Sequence, residues 1–207
     1  MLSEDYPVSG VTRHQLFIHE DIPYTSHNSC AVVHIASGDR GYAGEIFKRV
    51  EEMVLGNFIM GSDPGIAVAT EDQLEPALIA FGKDAKTMVL NQERARTLAR
   101  NLSIRLKGLG GTEDGVIGAM AGLGLAATNN DGRFVQTGKI REILGPCSVR
   151  TLRNAGIDAI STLDGQLIDS GYILVEEDKS VKPCPVNGRV ILYVEERNGR
   201  YHAVKRD

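Results

Sequence analysis

The sequence predicts a mixed α+β protein, an α/β sandwich with a small, mostly β C-terminal extension. Three observations predict it. Short β-branched runs alternate with segments whose apolar residues recur at helical spacing. An apolar, glycine-punctuated stretch, "GVIGAMAGLGLAA" (115–127), reads as a central buried helix. Near the C-terminus, "RVILYVEERNGRYHAVK" alternates around Asn198-Gly199, a strong hairpin signal.

Three parts are expected: an N-terminal arm (1–28), an α/β domain (29–146) and a small, mostly β domain (147–207). Residues 1–28 carry His14, His19 and His27 around one short apolar group and read as an arm or an edge strand. "CAVVHIA" (30–36) is a strand ended by "SGDRG", and "YAGEIFKRVEEMVLG" places Ile46, Val50, Met53 and Val54 on one helical face. "SDPG" (62–65) has turn chemistry and feeds the strand "IAVAT". Thr70 is the expected cap of a helix through Leu74, Leu78 and Ile79.

"KTMVL" (86–90) reads as a buried strand, and Asn91 as the cap of a long helix, "QERARTLARNLSIRLK". In that helix Ala95, Leu98, Ala99, Leu102 and Leu106 make the core-facing stripe, flanked by Arg94, Arg96, Arg100, Arg105 and Lys107. Beyond Gly145-Pro146, Ser148 caps a short helix that Gly156 stops, and the strands "GYILVEE" and "RVILYVEE" follow.

Composition bounds the function. With 207 residues, 42% of them hydrophobic, the chain can bury a sizeable core, but only 5% are aromatic and none is Trp, so stacking platforms for bases are scarce. The net charge of −4 lacks the basic field that accompanies nonspecific nucleic-acid binding. Cys30, Cys147 and Cys184 are far apart with no CxxC, which fits reduced thiols better than disulfides or zinc. The acidic N-terminus does not read as a secretory signal and no apolar run approaches the ~20 residues of a membrane span, so a cytoplasmic protein with no membrane contact is expected. His14 with His19, or His27 with His34, lacks ligand spacing, so no metal is expected. No cofactor is expected either.

The stretch "LGGTEDGVIGAMAGLGLAATNNDG" (109–132) is the most informative. Gly110 and Gly115 match the outer glycines of a phosphate loop, yet Val116 and Ile117 stand where Lys and Ser/Thr do the chemistry. Gly122, Gly124 and Ala127 satisfy GxGxxA only by composition, being at the far end of a helix. Thr112 is the expected cap, with Glu113 and Asp114 in the first turn complementing the helix dipole. An anion there meets two like charges. Gly115, Gly118 and Gly122 read as positions of close approach by a neighbouring element. With Asp63 of "GSDPG" and Asn130 and Asp131 of the following loop, these acids suggest a polar, acidic mouth.

"SDPGIAVA" (62–69) and "GTEDGVIGAMAGLGL" (111–125) resemble the ferredoxin-like domain of archaeal tRNA(Ile) agmatidine synthetase, over residues 30–136. That family joins agmatine to an anticodon cytidine using ATP, in a separate kinase-like domain with an Asp-Asp-Thr-Asp-Ser type motif. This chain has no such run and no cysteine pattern for the family's zinc ribbon. The resemblance implies a ferredoxin-like central domain, a stand-alone relative of one domain, and a pocket for a guanidinium or amine ligand. The candidate ligand-binding residues are Asp63, Thr112, Glu113, Asp114, Asn130 and Asp131, and the expected guest is a small cationic molecule. Two alternatives stand beside it: a structural or regulatory homo-oligomer, and a tRNA-binding accessory using Arg96 and Arg100. Neither a nucleophile nor a base with an electrophile binder can be assembled, so no reaction is assigned.

Overall fold

The computed structural model describes residues 2–23, 27–36, 40–176 and 180–206. It is mixed α/β, and the chain forms two compact units: Met1–Val8 with Arg13–Thr128, and Ser9–Thr12 with Asn129–Asp207. The turn expected at "SGDRG" falls partly outside the described residues. Among these, no helix is long and apolar enough to cross a membrane.

In the first unit α1 (Leu2–Asp5) precedes β1 (Val8–Gln15), whose residues Ser9–Thr12 belong to the second unit, and then β2 (Ser29–Ile35), α2 (Ala43–Gly56), β3 (Gly65–Val68), α3 (Pro76–Asp84), α4 (Gln92–Asn101), β4 (Arg105–Gly108) and α5 (Gly115–Ala127). The residues expected to be an arm or edge form β1 instead, which is the middle strand in the order β2-β1-β5. Its alternation explains this: Thr12 and His14 are buried, and such a strand needs partners for both rows of backbone groups. On β2, His34 is held below the ordinary imidazole range, by burial first and by nearby His14 second.

β3 and β4 pair antiparallel, with Ile66 opposite Lys107 and Ala67 opposite Leu106. The pairing decides which face each residue serves. Lys107 pairs with Glu51, and the Arg105 guanidinium lies beside Gly44, so α2 covers the face carrying Ile66 and Val68. Ala67 and Leu106 pack instead into the cluster containing Val116 and Met120 of α5. Helices therefore lie on both faces of this pair.

Three local expectations are corrected. Thr70 caps a single 3₁₀ turn, Glu71–Gln73, and α3 begins separately at Pro76, whose fixed φ suits a first helical position. Residues 86–90 form no strand: the amides of Lys86, Thr87 and Met88 turn back onto carbonyls of Lys83 and Asp84, leaving Met88 and Val89 exposed. The long helix stops at Asn101, because Ser103 adopts φ +55° while its N–H bonds Arg100 and that of Ile104 bonds Ala99 at 2.8 Å. That is a Schellman ending, built without the usual glycine. Arg105 and Lys107 consequently belong to β4.

α5 is apolar all round and buried by neighbours on several sides. A Cβ at Gly124 would stand 2.1 Å from Leu78 O, and one at Gly82 2.8 Å from Leu125 N, so α3 and α5 meet backbone to backbone. Gly124, which the sequence reading dismissed, is the residue that permits this crossing.

The second unit contains β5 (Arg133–Thr137), β6 (Cys147–Ser148), α6 (Val149–Asn154), β7 (Ala159–Thr162), β8 (Tyr172–Leu174), β9 (Cys184–Val186), β10 (Arg189–Arg197) and β11 (Arg200–Ala203). Its main sheet runs β6-β8-β11-β10-β7, with β9 also on β10. The β10–β11 hairpin turns at Asn198 and Gly199, both at positive φ, as a two-residue turn of this hand requires. The Ser148 hydroxyl accepts from Thr151 N at 3.1 Å, and Gly156 sits at φ +104° just past α6, matching expectation. Leu152, Ile160, Ile173 and Leu192 anchor this unit's own core.

The glycines of α5 divide by what surrounds them. Gly124→Ala is expected to destabilise by about 1–3 kcal/mol through overpacking. Gly118→Ala meets nothing nearer than 3.7 Å and is expected to stabilise by up to ~1 kcal/mol. Urea unfolding of the two variants against the parent measures both signs.

Candidate functional site

The first unit brings the loop 61–64 under the start of α5. A Cβ on Gly115 would lie 2.2 Å from Asp63 O and 2.4 Å from Gly65 N, so strand and helix touch with no side chain between them. This contact delivers the Asp63 carboxylate to the turn before the helix. Its Oδ2 accepts from Asp114 N at 3.0 Å, Thr112 N at 3.2 Å and the Thr112 hydroxyl at 2.8 Å. The expected capping by Thr112 is thereby corrected: Asp114 is the N-cap position, with no capping bond from its side chain. A carboxylate 51 positions away satisfies the pre-helical amides. Gly111 at φ +62° and Glu113 at φ +66° bend the turn so that those amides converge.

The other acids are engaged differently. Glu113 pairs with Arg96. Asp114 Oδ1 accepts from Gln92 Nε2 at 2.8 Å, and the same amide reaches Thr112 O at 2.7 Å. The Thr112 hydroxyl also lies 2.7 Å from Asp114 Oδ2, but its single proton serves one carboxylate at a time. Asp63 Oδ1 is buried and has no hydrogen-bond partner. The turn thus holds more carboxylate acceptors than donors.

Asp63, Thr112, Glu113 and Asp114 are therefore neighbours, while Asn130 and Asp131 belong to the second unit. There Asn130 Oδ1 accepts from Asn187 N at 2.8 Å and its amide donates to Asn187 Oδ1 at 3.2 Å. Among the basic residues, Arg94 pairs with Asp84 over the Phe81 ring, Arg96 is held by Glu113, and Arg100 donates to Thr97 Oγ1 at 2.9 Å.

Beside this turn the first unit opens into a cleft of about 1680 Å³. Its apolar walls include Ile46, Val50 and Val54 of α2 and Ile117 of α5. Five acidic residues line it among the described residues, Asp21, Asp63, Glu71, Glu93 and Asp114, and no lysine or arginine does. Sequence reasoning missed Gln92, Asp21, Glu71 and Glu93, which carry no local signal and meet only through the fold. Among the described residues no group of three or more His, Cys, Asp and Glu side chains is placed to hold a metal. The sequence matches no protein-family model and no curated protein.

Removing the Asp63 carboxylate leaves two turn amides without their acceptor. Asp63→Ala is expected to cost about 1–3 kcal/mol and to speed amide exchange at Thr112 and Asp114 at least tenfold. Unchanged exchange at those two amides contradicts the assignment of Asp63 as the cap.

Proposed function

We propose that this chain is a cytoplasmic binding protein for a cationic ligand, an amine or a guanidinium, held in the acid-lined cleft of its first unit. The observation that carries the reading is the cleft's charge asymmetry, five acidic residues against no lysine or arginine. The orphaned Asp63 Oδ1 adds a buried acceptor that a donor-rich cation would satisfy. Asp63 also occupies the amides before α5 that a phosphate would need, which argues against a nucleotide there. Asp63, Thr112 and Asp114 are the residues proposed to meet the ligand, and Glu113 acts through Arg96.

The likeness to the ferredoxin-like domain of tRNA(Ile) agmatidine synthetase is the ground for placing the protein beside tRNA or polyamine-related modification. The order β2-α2-β3-β4-α5, with α3 and α4 between β3 and β4, supports a ferredoxin-like ancestry. The placement of α2 opposite α5 departs from it. An RNA contact through Arg96 and Arg100 has less support, since Arg96 is committed to Glu113.

Thermal unfolding with agmatine, arginine, spermidine or ATP tests the proposal. At ten times its dissociation constant a bound amine contributes about 1.4 kcal/mol, which raises Tm by about 3–5 °C. Asp63→Asn with Asp114→Asn should abolish the rise, and ATP should give none. Stabilisation by ATP alone, or by no amine at 10 mM, roughly the weak end of specific binding, refutes the reading.

A second reading, the homo-oligomer, is favoured by the exposed apolar residues at the end of α2 and just beyond it: Leu55, Ile59 and Met60, the last 94% exposed. Light scattering should then show a dimer that Ile59→Asp with Met60→Asp dissociates. A strict monomer across a hundredfold concentration range removes it.

A further inference from the structure

The strand order leaves β2 and β3 each with an open edge in the first unit. β2 ends the order β2-β1-β5, and β3 ends the pair β3-β4, so no strand among the described residues lies on the outer side of either. Such edges present rows of backbone donors and acceptors to whatever extended chain can reach them. Both open on the same cleft: Ala31, Val33 and Ile35 of β2 line it, as do Ile66 and Val68 of β3.

The two strands also share one support. Gly122 of α5 lies against Cys30 and Val32, and Gly115 against Gly65. On the other face of β3, α2 turns Ile46, Val50 and Val54 into the cleft. The slot therefore has strand edges for its sides, α5 for one wall and the apolar stripe of α2 for the other. These are the surroundings of an interior strand in a layered α/β domain, with the strand itself missing.

Size and charge identify the guest. About 1680 Å³ exceeds the roughly 300–1,000 Å³ of small-molecule pockets. The seven residues of β2 span ~23 Å and the four of β3 ~13 Å at about 3.3 Å per residue, the reach of a short extended peptide. Acidic residues without lysine or arginine select a basic segment over an acidic one. A lining that mixes apolar side chains with acidic residues matches a segment that carries both apolar and basic residues.

We propose that the amine or guanidinium is carried on an extended peptide, a segment of a partner protein, that inserts between β2 and β3 as an added strand. Main-chain bonds to the two edges hold it, and a lysine or arginine reaches the carboxylates of Asp63 and Asp114. The inference rests on the cation reading above and specifies the cation's source.

The test uses the full chain and a library of nine-residue peptides with lysine or arginine at both ends and Val, Ile, Thr and Tyr varied between. Retained members should slow amide exchange in β2 and β3 at least tenfold and leave β10 and β11 unchanged. N-methylation of alternate amides, in one phase or the other, should weaken binding at least tenfold. Retention of no member while agmatine or spermidine binds overturns strand insertion and leaves the cation reading intact. So does peptide binding indifferent to N-methylation in both phases. Binding that survives replacement of lysine by norleucine and arginine by citrulline overturns the cation reading itself.

Discussion

At Gly115 the backbone of a helix rests directly on the backbone of the chain entering a strand, with no room for a side-chain atom between them. The rest of the first unit's arrangement depends on that contact. It sets the height of β3 against α5 and, through the β3–β4 register, aligns Gly108 with the turn that carries Glu113. A second bare contact, Gly124 against Leu78, secures the far end of α5 to α3. Close-packed interiors resist even one added methyl, so a helix gripped at both ends by backbone has little freedom to slide or rotate. Leu78, Val116, Met120 and Leu125 then fill the space around it.

The electrostatics of the turn follow from the same geometry. Loop amides converging before a helix attract negative charge, and in many proteins a bound anion supplies it. Here the chain supplies its own, from Asp63. A carboxylate has more acceptor capacity than the turn's donors fill, and one of its oxygens ends buried without a partner. The excess points the chemistry toward donors and positive charge. The surrounding basic residues do not correct it: Arg94 and Lys107 are paired with carboxylates elsewhere, and Arg96 is taken up by Glu113, not by Asp63 or Asp114.

The second unit needs none of this. Its core of Ile140, Leu152, Ile157, Ile160, Ile173 and Leu192 is assembled from α6, its sheet and the loops between them. Gly138, at φ +44°, passes so close to Ala155 that a Cβ would meet its carbonyl at 2.4 Å, and Asn130 and Asn187 join two turns through paired hydrogen bonds. Burial pushes the Cys184 thiol up from its ordinary range, against the opposing pull of Arg206 and Arg133, which disfavours the reactive thiolate.

What the sequence determined by itself was whatever a few neighbouring residues decide. The helix over 43–56, the strand after Ser62-Asp63-Pro64-Gly65, the Ser148 cap with its Gly156 stop and the Asn198-Gly199 hairpin all rest on spacing, capping or turn preferences that act over one or two turns of chain. The irregular path of 86–90 and the helix end at Asn101 were not legible, because one depends on carbonyls left over from α3 and the other on a left-handed serine where no glycine signals it. The three acids and one hydroxyl of the candidate turn could be named from their residue types. Which amides they would serve could not, since Thr112 and Asp63 compete for that role and only the approach of residues 63–65 to Gly115 settles it. Tertiary structure alone decided the cap, the cleft and the two strand edges that open on it, because each is made by segments far apart in sequence whose meeting is set by packing and not by local conformational preference.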